Sequence, residues 1–111
     1  MEREINESDW KIFRRLHEVA LERFCQRVIM EIKQATSDCD RDYHKCYLNI
    51  FSLVMDRNDE VARSFDDMRR SRAIVLLTNI RKNGLVTDEE FSQFSPETRA
   101  RVESILDVRR Q

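Results

Sequence analysis

The sequence contains almost none of the two residues that most often form tight turns. Among 111 residues, glycine occurs once, at Gly84, and proline once, at Pro96. Because hairpins and tight loops depend on these residues for their backbone angles, this composition argues against a β-rich fold. It also excludes a glycine-rich phosphate-binding loop, which needs several glycines within a short stretch.

Long hydrophobic runs and an excess of either charge are also missing. No apolar run approaches the length that spans a bilayer, and the N-terminal stretch MEREINESDW lacks the apolar segment of a signal peptide. The 20 basic and 21 acidic residues nearly cancel, which makes a general nucleic-acid or anionic-membrane binder unfavourable. The three cysteines have no paired spacing, so we expect a reduced, cytoplasmic chain.

Apolar residues recur every three or four positions along most of the chain, which is the pattern of amphipathic helices. We therefore predict an all-α protein, a single domain over residues 1–111 built as a bundle of about five helices. Three long helices are expected at Ser8 to Thr36, about Asp40 to Asp56 and about Asp59 to Lys82, with a break at residues 57–59. Two short helices should follow, beginning at Thr87 and at Pro96, the last ending near Val108.

Three local signals mark the ends of the C-terminal helices. Gly84 stands where the end of a helix favours a left-handed residue. Thr87 and Glu90 have the spacing of a capping box. Ser95 and Pro96 place a capping residue before a proline at the first helical position, so a new helix is expected there.

The stretch NIRKNGLVTDEE, residues 79–90, resembles the calcium loop of the EF-hand family over this one segment. Gly84 matches the glycine of the sharp turn, and Glu90 matches the carboxylate at the twelfth position. The first and third ligand positions fall on Asn79 and Arg81, and a guanidinium at the third position repels the ion. We therefore interpret the segment as two helix caps and expect no calcium binding and no other cofactor.

Candidate metal and catalytic residues are few. Cys39, His44 and Cys46 are close in sequence, but they lack the two short ligand pairs of structural zinc sites. We interpret Cys25 and Cys46 as small core or boundary residues and expect no metal. His17 lies on the apolar stripe of the first helix and is interpreted as a packed histidine with one hydrogen bond. No nucleophile–base motif accompanies it, so nothing in the sequence supports an enzyme.

The stretch FDDMRRSR, residues 65–72, has the most unusual charge pattern in the sequence. On the predicted third helix, Asp66 and Asp67 would pair with the arginines three or four residues later. Arg72 would lie within about 20° of the apolar line of that helix, where a charge must extend to solvent, find a carboxylate or face a partner. Glu18, Glu22 and Asp42 are its candidate carboxylates. Arg72, with Asp66, Asp67 and Arg69 around it, is the predicted ligand-binding or partner-binding site.

Two functions from different classes are compatible with these features. The first is a non-enzymatic protein–protein interaction module, possibly a homodimer, because Ile12, Val19 and Met30 give the first helix a second apolar face. The second is nucleic-acid binding by the last two helices, which resemble a helix-turn-helix in outline. Acidic residues are mixed among the arginines of the last helix, which weakens its attraction for phosphates. The first function is therefore preferred.

Overall fold

The computed structural model describes residues 4–110, and every regular element in that range is helical, which confirms the all-α prediction. The elements are α1 (Glu7–Ser37), α2 (Tyr43–Phe65), a short 3-10 turn (Arg70–Arg72), α3 (Ala73–Lys82), α4 (Asp88–Phe91) and α5 (Pro96–Arg110). α1 and α2 are the two long helices, and they pack against each other as a hairpin. α3 is shorter than predicted, and α5 is longer.

The molecule has two unequal parts, because the α1–α2 hairpin extends well beyond the buried core, which lies at one end of it. Its dimensions are 57 × 26 × 23 Å. The buried residues of α1 end at Phe24, and the only buried residues of α2 are Ser64 and Phe65. We call the part containing the start of α1, the end of α2 and helices α3 to α5 the head. The rest of the hairpin, residues 25–61, is the arm.

Helix α3 forms the centre of the head. Six of its ten residues are buried, and it packs against α1, α2 and α5. This agrees with the sequence AIVLL, which is apolar nearly all round, although Val75 remains 41% exposed. His17 packs beside this core as predicted: its ring lies between those of Phe13 and Phe65, and its Nε2 donates to the Phe65 carbonyl at 3.0 Å.

The break between the second and third helices is not where the sequence predicted it. α2 continues through residues 57–59, because Arg57 lies on its inner face while Asn58 and Asp59 face solvent. The chain turns instead after Phe65, where Asp67 adopts a left-handed φ of 58°. Aspartate tolerates that conformation better than most residues, which allows the helix to end without glycine.

The expectation of unpaired cysteines is wrong for two of the three. Cys39 lies just after α1 and Cys46 lies in the first turns of α2, and the two form a disulfide across the connecting loop, with Cα atoms 5.7 Å apart. Cys25 is exposed, in contrast to the core or boundary position that we expected. Sequence spacing did not indicate this pairing because the loop, not the helical pattern, brings the two residues together.

Buried Asp9 joins the first and last helices. The first helix was predicted to begin at Ser8, but it begins at Glu7, and Asn6 is its cap, with a side chain that accepts from the Asp9 backbone at 2.8 Å. The Asp9 carboxylate, on a residue 2% exposed, accepts from the Ser95 amide at 3.0 Å and from the Ser95 and Thr98 hydroxyls, both at 2.6 Å. Ser95 also caps α5, as predicted, by accepting from the Thr98 amide. One carboxylate therefore fixes the starts of both helices.

The segment between α3 and α4 has the predicted caps. Gly84 has a φ of 69°, and the Thr87–Glu90 capping box is complete. Two arginines of α1 bind this segment. Arg27 donates to the Asn83 and Gly84 carbonyls, and Arg23 forms a bidentate ion pair with Glu90. The hydrogen bonds from Arg23 lower the pKa of Glu90 to about 2. Glu90, which matches the twelfth position of a calcium loop, therefore takes part in a helix cap and in an ion pair.

We expect Gly84→Ala to lower the free energy of unfolding by about 1–2 kcal/mol, because an L-residue in the left-handed conformation brings its Cβ close to the following carbonyl. Space is not the obstacle, since the nearest group to an added Cβ is the Arg27 Nη2 at 3.7 Å. Gly84→Asn should cost less, because asparagine tolerates this conformation. Urea unfolding measures both, and equal stability of Gly84→Ala and the wild type would contradict the expectation.

Candidate interaction surface

The four residues predicted as a site lie in the connection between α2 and α3, not on a helix face. Asp67 pairs with Arg69 at 2.7 Å, and the nearest Arg72 nitrogen is 3.8 Å from the same carboxylate. This ion pair with Arg69, followed by the charge of Arg72, lowers the pKa of Asp67. Asp66 is the residue that follows the end of α2 and is exposed. The pairing of Arg70 with these aspartates was predicted wrongly.

Arg70 instead crosses to the start of α1, where it donates to the Ile5 carbonyl at 2.9 Å and to Glu7 at 3.0 Å. Arg72 was expected on the apolar line of one continuous helix, and this is wrong because the chain is broken after Phe65. Arg72 is the residue before α3, and its side chain is 38% exposed. Its nearest carboxylate is Asp67, and it forms no ion pair with Glu18, Glu22 or Asp42.

A group of large exposed apolar side chains lies on the arm, along one side of α2. Six large side chains there are between 41% and 72% exposed: Tyr43, Tyr47, Leu48, Phe51, Val54 and Met55. At about 100° per residue they occupy a sector about 140° wide, and between Tyr43 and Met55, His44 is the polar residue within it. We call these six residues the α2 stripe. A sector of this width is typical of a helix face that packs against another element.

The α2 stripe lies beside the face that α2 uses to pack on α1, and does not form part of it. The inner face includes Arg57, which forms ion pairs with Glu31 of α1 and Glu60 of α2. These hydrogen bonds raise the pKa of Arg57 and lower that of Glu31, so the pairing stays ionised across the neutral range. With the hairpin held together on that side, the stripe has no covering element among the residues that the structure describes.

The second apolar face of α1 has two different environments. Ile12 packs against the core of the head, so this part of the face is covered within the chain and does not need a partner. Further along α1, Ile29 and Met30 are 51% and 57% exposed on the arm. Met30 is the residue of the predicted face that is exposed on the arm, and Ile29 lies about 100° away from it around the helix. Sequence periodicity did not distinguish the two parts because it does not show where the core of the head ends.

Comparisons with known proteins add nothing to these observations. No protein-family model, curated protein or solved structure matches the chain.

The described residues also bear on the predictions about metal binding and membrane crossing. No group of three or more histidine, cysteine or acidic side chains there is placed to hold a metal ion. No helix among residues 4–110 has both the length and the apolar character needed to cross a bilayer. The compartment of the protein remains a prediction.

The nucleic-acid alternative depends on the last two helices. α4 has only four residues, and two of the arginines of α5 are held within the chain. Arg99 donates to the Phe94 carbonyl, and Arg110 forms an ion pair with Asp107 at 3.4 Å. This arrangement leaves fewer free cations for phosphates than the sequence suggests, and nucleic-acid binding remains the less favoured prediction.

Proposed function

We propose that this protein is a non-enzymatic, self-associating helical module in which two copies join through their arms. The observation that carries the proposal is the α2 stripe, six large apolar side chains that share one sector of a helix. Monomeric proteins scatter exposed apolar residues singly, whereas a contiguous patch indicates an interaction site. Two hairpins packed along their stripes would form a four-helix bundle, in which each α2 is covered on both sides.

The size of this surface suits a dimer. Aromatic side chains bury 150–250 Å² when fully covered, so these partly exposed residues offer on the order of 100 Å² each. The six residues of the α2 stripe therefore offer on the order of 600 Å² per copy, close to the roughly 800 Å² that one partner usually contributes to a stable interface. A twofold axis would let the same stripe serve both copies.

The charges beside the stripe favour an antiparallel arrangement. Lys45 lies near the start of the α2 stripe, whereas Asp56 and Asp59 lie just beyond its other end, all on the polar side of Leu48. An antiparallel pair places each lysine near the aspartates of the other copy. A parallel pair would place like charges together, which is unfavourable at close range.

We expect the wild-type chain to sediment as a dimer at micromolar concentrations and Phe51→Asp to sediment as a monomer. Phe51 lies near the middle of the α2 stripe, where a carboxylate in each copy would be desolvated without a partner. Val108→Asp is the matched control, because Val108 is 68% exposed on α5 and lies outside the arm. Circular dichroism of each variant checks that the helices are retained.

Two results would contradict the proposal. A wild-type chain that remains monomeric throughout the accessible concentration range would show that the stripe does not join two copies. A dimer that persists in Phe51→Asp and dissociates in Val108→Asp would place the interface on the head.

A further inference from the structure

An open cleft with a cationic lining lies in the head, where the end of α2, the face of α3 and the end of α5 meet. Its volume is about 700 Å³, within the range of small-ligand sites. Its charged lining residues are Arg63, Arg72, Lys82, Arg109 and the single acid Glu60. Glu60 already pairs with Arg57, so the lining carries an uncompensated positive charge. Arg72 is the residue of the predicted site that reaches this cleft.

The cations of the cleft have few partners of their own. The Nε of Arg72 is buried and has no hydrogen-bond partner among the described residues, and its Nη1 is too far from Asp67 for a hydrogen bond. Within residues 4–110, neither Arg63 nor Lys82 takes part in an ion pair. The Arg72 side chain as a whole is 38% exposed, so its guanidinium is accessible to an added acceptor in the cleft.

Asn79 organises one wall of the cleft. Its side-chain amide donates to the Arg63 carbonyl at 3.1 Å, and its Oδ1 accepts from Arg109 Nη1 at 2.8 Å. This neutral partner orients Arg109 without cancelling its charge, and it leaves the other guanidinium N–H groups for an external acceptor. Arginine oriented in this way is well suited to phosphate and carboxylate oxygens.

We propose that the cleft binds a small oxyanion with several negative charges, carried by phosphate or carboxylate groups. Four cations from four different elements, namely α2, the 3-10 turn, α3 and α5, surround a space large enough for such a molecule. The remaining lining residues are Ala62, Ser64, Asn79 and Asn83, so no aromatic or large apolar side chain is present to stack on a base or pack on a hydrocarbon. The ligand is therefore compact and polar.

The test is calorimetric titration of the full-length chain with pyrophosphate and, separately, with citrate at low salt. We expect at least one to bind, with affinity lowered at least about tenfold in Arg72→Met and in Arg109→Gln, because each loses a charge-assisted hydrogen bond. Arg41→Gln is the control, since Arg41 is exposed in the loop at the tip of the arm. Binding of pyrophosphate alone would identify a phosphate ligand, and binding of citrate alone a carboxylate ligand.

Each other outcome overturns the proposal. The first such outcome is that neither probe binds. The second is that both probes bind equally well to the wild type and to the two cleft variants. A third such outcome is that a short random duplex binds through the same arginines while both probes fail, which would favour nucleic-acid binding. Arg72→Met should unfold like the wild type without ligand, so loss of binding cannot be attributed to misfolding. Repeating the titration in Phe51→Asp separates this proposal from self-association.

Discussion

Asp9→Ala should lower the free energy of unfolding by about 3–4 kcal/mol, one of the largest effects of any single substitution in this chain. The substitution removes the acceptor of three short hydrogen bonds from Ser95 and Thr98 and leaves their donors at a site that excludes water. Buried donors without acceptors cost about 1–3 kcal/mol each, although the hydroxyls can turn toward other oxygens. The starts of α1 and α5 would both lose their shared anchor.

Urea unfolding at neutral pH measures this effect, and Asp40→Ala is the matched control. Asp40 is an exposed aspartate in the loop between α1 and α2, so its substitution should change stability by less than about 0.5 kcal/mol. Equal stability losses in the two variants would show that the buried carboxylate makes no special contribution.

The Asp9 contribution should also depend on pH. Burial alone raises the pKa of this carboxyl, but the hydrogen bonds from Ser95, Thr98 and Asn6 outweigh burial and hold the pKa below its ordinary value of 3.8. A group whose pKa is lower in the folded state stabilises the fold above its unfolded pKa and loses that effect as the pH falls through its folded pKa. The stability difference between the wild type and Asp9→Asn should therefore narrow below about pH 4. A difference that stays constant into acid would contradict this assignment.

Phe65→Ala should cost about 4 kcal/mol, which is typical for removal of a buried phenylalanine side chain. Phe65 is 4% exposed, and its ring meets those of His17 and Phe24 where the arm joins the head. Phe51 is the matched control on the same helix, at 55% exposure. Phe51→Ala should leave the unfolding free energy of the monomer nearly unchanged. Thermal or urea unfolding measures both variants, at protein concentrations low enough that the chain is monomeric.

The contrast between these two phenylalanines also tests the division into head and arm. If Phe51→Ala destabilised the monomer as much as Phe65→Ala, the α2 stripe would have to be covered within one chain. The arm would then have no uncovered apolar face through which two copies could associate.

The sequence predicted those parts of the fold that depend on local chemistry. The capping box at Thr87, the left-handed Gly84 and the cap at Ser95 each involve residues within a few positions of one another, and all three are observed. The apolar spacing predicted an all-helical chain for the same reason, since it reports which residues share a face. Contacts between distant segments were not accessible to this reasoning.

The break between α2 and α3 shows why the rest failed. Residues 57–59 read as a turn because they are polar, yet Arg57 is held on the inner face of α2 by Glu31, a residue 26 positions earlier. The true turn contains Asp67, whose sequence neighbours also fit a helix. Because the break was misplaced, Arg72 was predicted to lie on the apolar line of one continuous helix, and the chain does not form that helix. Arg72 nevertheless lines the cleft. The burial of Asp9 was missed because its partners are 86 and 89 positions away.

The same long-range link has a consequence for the order in which the chain folds. α1 and α2 are joined by a short loop, so their pairing can begin beside that loop without waiting for the rest of the chain. The head closes only when Ser95 and Thr98 reach Asp9, near the opposite end of the chain. During synthesis, the hairpin and its apolar stripe therefore emerge before the segment that completes the core, and the stripe is exposed while the head is still open.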